Sequence, residues 1–242
     1  MNIAIITAGG TGQRMGSNIP KQFLEVNGKA IILYTLEIFN NHPQIDAIII
    51  VCCKPWMKRL QMMVNKAYLD KVVKIVEGGK EGQQSIYNGL CAAKLWCEEQ
   101  GREAMEAIVL VHDSVRPLVA NELITRNIED VQQYGNAITV IRPTETFIVE
   151  EDGKHRMLER SDIHVVRAPQ SFYLDKILHL HQRAIAEGKS SYRDCCSMLC
   201  DCGIPFHETE GPSTNLKITY PSDILMFRSL LQLRETQLML GL

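Results

Sequence analysis

What this 242-residue chain lacks narrows its function quickly. It has no excess of one charge: 26 Lys and Arg stand against 28 Asp and Glu, a formal net of −2. General nucleic-acid and membrane-surface binders need a basic surplus, so both classes are set aside. No apolar run approaches the roughly 20 residues of a membrane span. Nothing resembling a leader precedes the first strand pattern, so a cytoplasmic protein is expected. Internal repeats and low-complexity tracts are missing as well. The glycine cluster near the N-terminus is not followed by Gly-Lys-Ser/Thr, which excludes a P-loop. Gly10-Thr-Gly12-Gln-Arg-Met-Gly16 misses the dinucleotide fingerprint by one residue, and no acidic residue closes the second strand pattern at Ile48–Cys53. A dinucleotide-dependent dehydrogenase is disfavoured on both counts.

Cysteine, by contrast, is present eight times, with Cys195, Cys196, Cys200 and Cys202 close together. Structural zinc sites generally use two separated pairs on turns. Tyr192–Cys202 reads instead as a short helix with Cys195, Leu199 and Cys202 on one face. Buried free thiols acting as small apolar residues are expected there.

The most informative stretch is the first thirty residues. An apolar run from Ile3 to Ile6 stops at Ala8-Gly9-Gly10-Thr11-Gly12, followed by Arg14 and Pro20-Lys21. Glycines after a strand let backbone N–H groups close around phosphate oxygens. Arg14 and Lys21 add two cations for the same anion. A nucleotide-phosphate site is the leading reading, and a purely structural βα turn is the alternative.

Strand patterns at Ile3–Thr7, Ala47–Cys52, Val72–Val76, Ile108–Val111 and Ala137–Ile141 alternate with helical ones. The helices are expected at Ile31–Asn40, Lys58–Lys66, Gln83–Glu99, Glu122–Tyr134, Leu174–Glu187 and Asp223–Leu240, the last with Pro221 just before it. The pattern predicts one α/β domain over residues 1–242 with a doubly wound, mostly parallel sheet. Thr146–Arg160 interrupts it: two extended arms flank Asp152-Gly153, a hairpin-turn dipeptide. The arm, about 144–162, has little core of its own.

The signature Ala8-Gly9-Gly10-x-Gly12-x-Arg14-Met15-Gly16 with Pro20-Lys21-Gln22-Phe23 resembles nucleotidyltransferases of Rossmann-like fold, specifically the CTP-dependent polyol-phosphate cytidylyltransferases. Four further segments agree in order: Gly78-Gly79-x5-Ser85, His112-Asp113-x-x-Arg116-Pro117, Pro169-Gln170-x-Phe172 and Asn215-x-Lys217-Ile218-Thr219. Together they run nearly end to end.

The resemblance implies transfer of CMP from CTP to a phosphorylated polyol, with Mg²⁺ and release of pyrophosphate. It assigns Arg14, Lys21 and Lys217 to the reacting phosphates. Ala8, Gly9, Gly10, Thr11, Gly12, Gly79, Lys80 and Ser85 would bind the nucleotide. Asp113 would help hold Mg²⁺ and, with Arg116, Thr146, Arg160 and Arg193, face the acceptor. The arm would cross to a partner subunit and donate Arg160 there, making a homodimer. His112 is expected to fix the loop, since an ionised phosphate nucleophile needs no base. Read from the residues alone, Lys217 also fits a surface lysine, and Asp113 a helix cap or a partner of Arg116. Three positions depart from the pattern: Ala168 for a usual threonine, Arg193 for a small hydroxyl residue, and Gly82 for an arginine. They favour an alditol phosphate such as ribitol 5-phosphate over methylerythritol phosphate. A sugar-1-phosphate nucleotidyltransferase and a non-catalytic nucleotide-binding regulator are the rivals. Loss of the three cations would mark the latter.

Overall fold

A computed structural model describes residues 1–10 and 19–240. Thr11, Gly12, Arg14, Met15 and Gly16 of the signature lie outside the described residues.

The first strand, β1 (Asn2–Ala8), is followed by a small ribbon of β2 (Glu25–Val26) and β3 (Lys29–Ala30), then α1 (Ile31–Asn41). Next come β4 (Ala47–Cys52), α2 (Met57–Lys66), β5 (Val72–Glu77), α3 (Gly82–Glu99) and β6 (Ile108–Asp113). After them run α4 (Asn121–Tyr134), β7 (Asn136–Ile141), β8 (Phe147–Glu151), β9 (Lys154–Leu158) and β10 (Val165–Tyr173). The chain closes with α5 (Leu174–Ala186), α6 (Cys195–Asp201), β11 (Glu208–Glu210) and α7 (Pro221–Leu240).

One seven-stranded sheet has the order β11-β7-β10-β6-β1-β4-β5. Every pairing in it is parallel except those of β10, which runs against both β6 and β7. Strands buried on both faces need continuous apolar runs, and β4, Ala-Ile-Ile-Ile-Val-Cys, is buried throughout. The alternation within β1 divides the core. Ile3 and Ile5 pack with α3, α5 and α6, whereas Ala4 and Ile6 pack with α1, α2 and α4. A third cluster, with Val115, Leu118 and Ile218 around Phe227, seats α7. Pro221 is the first residue of α7, not the one before it; its missing N–H is not needed there.

The expected parallel strands and helices are all present, with ends displaced by one or two residues. Two strands are additions, because β10 contains Pro169 and a register shift between Val166 and Gln170, and β11 is three residues long. The sheet therefore has seven strands where five were expected. The arm is a hairpin, β8 against β9, turned by Asp152 and Gly153 at positive φ of 52° and 73°. Ile148 and Met157 are cross-strand partners on it and both are exposed. In α6, Cys195 and Leu199 are buried and Cys202 packs beside them. Cys196 is buried as well, but Cys200 is exposed, a correction to the expectation of four buried thiols.

Candidate active site

Strand order changes direction between β1 and β6, the place where open α/β sheets bind ligands. Register pairs Thr7 with Asp113 there, so both strands end level. A cavity of about 610 Å³ opens above them, lined by Gly9, Gly10, Lys21, Gly79, Lys80, Ser85, Asp113, Arg116, Arg193 and Lys217 among others. Most of the candidates assembled from scattered segments therefore share one space.

The floor is a charge cluster. Asp113 ends β6 and accepts hydrogen bonds from Lys217 Nζ on Oδ1 (2.8 Å) and from Arg116 Nε on Oδ2 (2.8 Å). Burial pushes its carboxyl up, but the Lys217 ammonium and Arg116 guanidinium outweigh that and hold it well below the usual carboxylate range. Arg116 is 6% exposed and its Nη1 donates to the Asn215 carbonyl at 3.0 Å. Two of its nitrogens are spent inside the protein, so Arg116 is chiefly a clamp on Asp113 and the Asn215 segment, less open to an acceptor than expected. Lys217 lies in an irregular stretch rather than on a strand. Its side chain is partly exposed but tied to Asp113, not free in solvent.

Lys21 is 8% exposed, and its Nζ donates to the Ile218 carbonyl at 2.7 Å, next to Lys217. Gln22 is buried and its Nε2 reaches the carbonyls of Ala8 (2.7 Å) and Gly10 (3.0 Å). Ala8 thus supplies a buried anchor for the glycine loop instead of lining the cavity. Gln22 belongs to the signature, and its amide fixes where β1 hands over to Gly9 and Gly10.

On the opposite wall, the Gly79 N–H donates to Ser85 Oγ (3.0 Å), and that hydroxyl donates to the Glu81 carbonyl (3.1 Å). A Cβ on Gly79 would fall 2.0 Å from Gln84 Cγ, so only glycine fits this close turn. Ser85 is 7% exposed and organises the loop from the first turn of α3.

His112 is buried, and its Nε2 donates to the Arg116 carbonyl at 3.3 Å. Burial pushes the imidazole down to about 4, so it stays neutral and braces the loop. Asn215 ties the far wall down through Nδ2 to the Ala168 carbonyl at 2.7 Å. Gln170 does likewise, accepting from the Cys196 N–H at 3.0 Å. Thr146 and Arg160 are exposed on or beside the arm and are not among the residues lining this cavity. One lining residue that sequence reasoning passed over, Arg167, stands on β10 directly before Ala168.

Six cationic side chains (Lys21, Lys80, Arg116, Arg167, Arg193 and Lys217) face three carboxylates (Glu81, Asp113 and Asp194) among the described lining residues. In a chain whose net charge is −2, that surplus is local. Such a cavity gathers polyanions.

Residues 2–232 match the family model described as IspD: 2-C-methyl-D-erythritol 4-phosphate cytidylyltransferase. A ribitol-5-phosphate cytidylyltransferase from Vibrio parahaemolyticus is 41% identical over 244 residues, covering 100% of both chains. A 2-C-methyl-D-erythritol 4-phosphate cytidylyltransferase from Clostridium botulinum is 35% identical over 233 residues, covering 96% of this chain and 97% of its own. A solved 4-diphosphocytidyl-2C-methyl-D-erythritolsynthase from Anaerococcus prevotii superposes with a TM-score of 0.79 at 24% identity, over 96% of this chain and 98% of that one. At that identity the likeness speaks for the fold alone.

Proposed function

Since the chain belongs to the IspD family of cytidylyltransferases, we propose that it transfers CMP from CTP to ribitol 5-phosphate, forming CDP-ribitol and pyrophosphate. The observation that carries the acceptor is the full-length 41% identity to a ribitol-5-phosphate enzyme, against 35% to a methylerythritol one. The cavity lining supports it at Arg193, which stands where the methylerythritol pattern has a small hydroxyl residue, while Ala168 departs from both patterns. Methylerythritol 4-phosphate is the second reading, on the strength of the family model itself.

The chemistry suits the donor set. An oxygen of the acceptor phosphate forms a bond to the α-phosphorus while the bond to the bridging oxygen breaks. The departing electron pair stays on pyrophosphate. Both reactants are anions, so the protein's task is to align them and offset the charge that builds up. Lys21, buried and fixed, and Arg14 would hold the triphosphate. Lys217, fixed by Asp113, would meet the α-phosphate. Glycine backbone at Gly9, Gly10 and Gly79 would admit the nucleotide closely, and Lys80 would lie beside it. No serine or cysteine is required as a nucleophile.

Asp113 is, among the described lining residues, the carboxylate at the end of β6 beside Lys217 and Arg116, held ionised and with lone pairs left on its oxygens. That fits Mg²⁺, which takes one or two carboxylates plus substrate phosphates. When bound, the metal would neutralise charge on the phosphates. The exposed Ile148–Met157 pair supports an arm that packs on a second subunit and brings Arg160 to that subunit's cavity, giving a homodimer.

Pyrophosphate release with each nucleoside triphosphate, against ribitol 5-phosphate, methylerythritol 4-phosphate and related polyol phosphates, tests the reading. CTP with ribitol 5-phosphate should give the highest kcat/KM, and excess chelator should abolish turnover. Equal use of ATP would overturn the nucleotide assignment. A preference for methylerythritol 4-phosphate would overturn the acceptor.

A further inference from the structure

Arg167 is a charged side chain without a partner among the described residues. Its Nε is fully buried and makes no hydrogen bond, and no carboxylate pairs with its guanidinium among the described residues. Burial and the neighbouring charge of Arg116 both push its proton affinity down. A guanidinium does not lose its proton at neutral pH, so this environment penalises a charge that stays. An arginine held against a second arginine, half-buried and unpaired, is a poor structural element.

The surrounding fold aims it all the same. β10 pairs with β6 from Tyr173–Ile108 to Gln170–Val111 and with β7 again at Val165 and Val166, and the stretch between, with Arg167 and Ala168, lines the cavity. The register shift against β7 falls between Val166 and Gln170, and such irregularities redirect side chains out of the ladder. The backbone there is pinned at two points: Gln170 Nε2 donates to the Arg167 carbonyl (3.3 Å), and Asn215 Nδ2 to the Ala168 carbonyl. The next residue, Ala168, offers no hydroxyl. Of the other cations lining the cavity, Arg116 and Lys217 are on Asp113 and Lys21 is on the Ile218 carbonyl, whereas Lys80 and Arg193 have no ion pair among the described residues and, unlike Arg167, no buried unpaired nitrogen.

We propose that Arg167 is the residue of this subunit that binds the phosphomonoester dianion of the acceptor, the ligand supplying the counter-charge the fold withholds. A planar guanidinium with two or more donors free suits two phosphate oxygens at once. This deepens the acceptor reading above and rests on it only for the identity of the polyol.

Two measurements test it on the full chain. The first is the steady-state rate of wild type, Arg167→Met and Arg167→Lys with CTP and each polyol phosphate. Arg167→Met should raise the acceptor KM by about 10- to 100-fold, the span of a lost charged hydrogen bond, and leave the CTP KM within about twofold. Arg167→Lys should fall between. The second is calorimetric titration of inorganic phosphate into protein saturated with Mg²⁺ and CTP, which reads the anion site without turnover. Phosphate affinity should drop at least about tenfold in Arg167→Met, and the melting temperature should hold or rise, since a buried unpaired polar atom has been removed. A structural role would instead lower the melting temperature and spare the acceptor KM. Absent phosphate binding by the wild type, or equal affinity in both proteins, overturns the assignment. If ribitol 5-phosphate is not turned over but phosphate binding still falls, the polyol is wrong and Arg167 stands.

Discussion

The floor and the rim of the cavity use cations in opposite ways. On the floor, Lys217 and Arg116 share one carboxylate, and Lys21 is bound to a carbonyl, so each position is fixed before anything enters. On the rim, Lys80, Arg167 and Arg193 have no ion pair among the described residues. Fixed charge is useful where charge develops during reaction, because nothing must reorganise at that moment. Uncommitted charge is useful where the ligand itself brings the counter-ion. On the proposed function, the contrast would put chemistry on the floor and choice of acceptor at the rim.

The strongest way to break that contrast is to remove the hub. Asp113→Ala leaves a buried guanidinium and a neighbouring ammonium uncompensated. It should cost about 3–5 kcal/mol in urea unfolding and lower kcat by about 10²- to 10³-fold. A variant with wild-type stability and activity would show that the floor is not preorganised by this carboxylate. Next in size, Lys21→Ala and Lys217→Ala should each lower kcat by at least about 10²-fold, the scale for losing one charge-stabilising donor. Near wild-type kcat in Lys217→Ala would move it from floor to rim.

Arg160 sharpens the comparison by asking whether the rim is completed from outside. Arg160→Ala should raise the acceptor KM by about tenfold or more with little effect on CTP. Mixed with Lys217→Ala after subunit exchange, it should recover part of the activity, because one site of the heterodimer keeps both residues. A monomer by sedimentation defeats this idea.

The smallest effect is on pH. Burial pushes His112 and His181 each down to about 4, against an ordinary value of 6.5. Folding therefore favours their neutral forms. Their contribution is complete above about pH 6.5 and is lost as pH falls towards 4, with about 1–2 kcal/mol per histidine gone at pH 5. Urea midpoints measured from pH 7.5 to 4.5 should fall in wild type, and less in His112→Gln with His181→Gln. An unchanged slope would place the acid sensitivity elsewhere. The Asp113 carboxyl, held low, adds its loss only below about pH 4, where unfolded carboxylates begin to protonate.

Much of this was legible because it repeats locally. Parallel strands buried on both faces are continuous apolar runs, and β4 and β6 could be read to within two residues. The hairpin arm announced itself through Asp152-Gly153, and Asn27-Gly28 turns the smaller ribbon with the same left-handed chemistry, although that ribbon is too short to give an alternating pattern. β10 hid because Pro169 interrupts it and because its register against β7 shifts between Val166 and Gln170. Asp113 with Arg116 was readable at a spacing of three. Lys217, 104 residues away, joins them only through topology. Arg167 carried no signal at all: a single arginine before Ala-Pro-Gln looks like any solvated residue until folding buries its Nε without a partner. Gln22 and Asn215 were similarly opaque, because their value lies in which carbonyls the fold brings to their amides.

Phe23, two residues after Lys21, stacks on Trp56 with ring centroids 4.6 Å apart, and Arg59 lies over the same indole. The other tryptophan, Trp96, sits beside Met1 and Asp46, at the far end of the sheet from the cavity. The protein therefore carries an optical reporter stacked two residues beyond Lys21, which lines the cavity, and an internal reference away from it. Emission from Trp56 should follow nucleotide entry in real time, without a dye and without altering a residue.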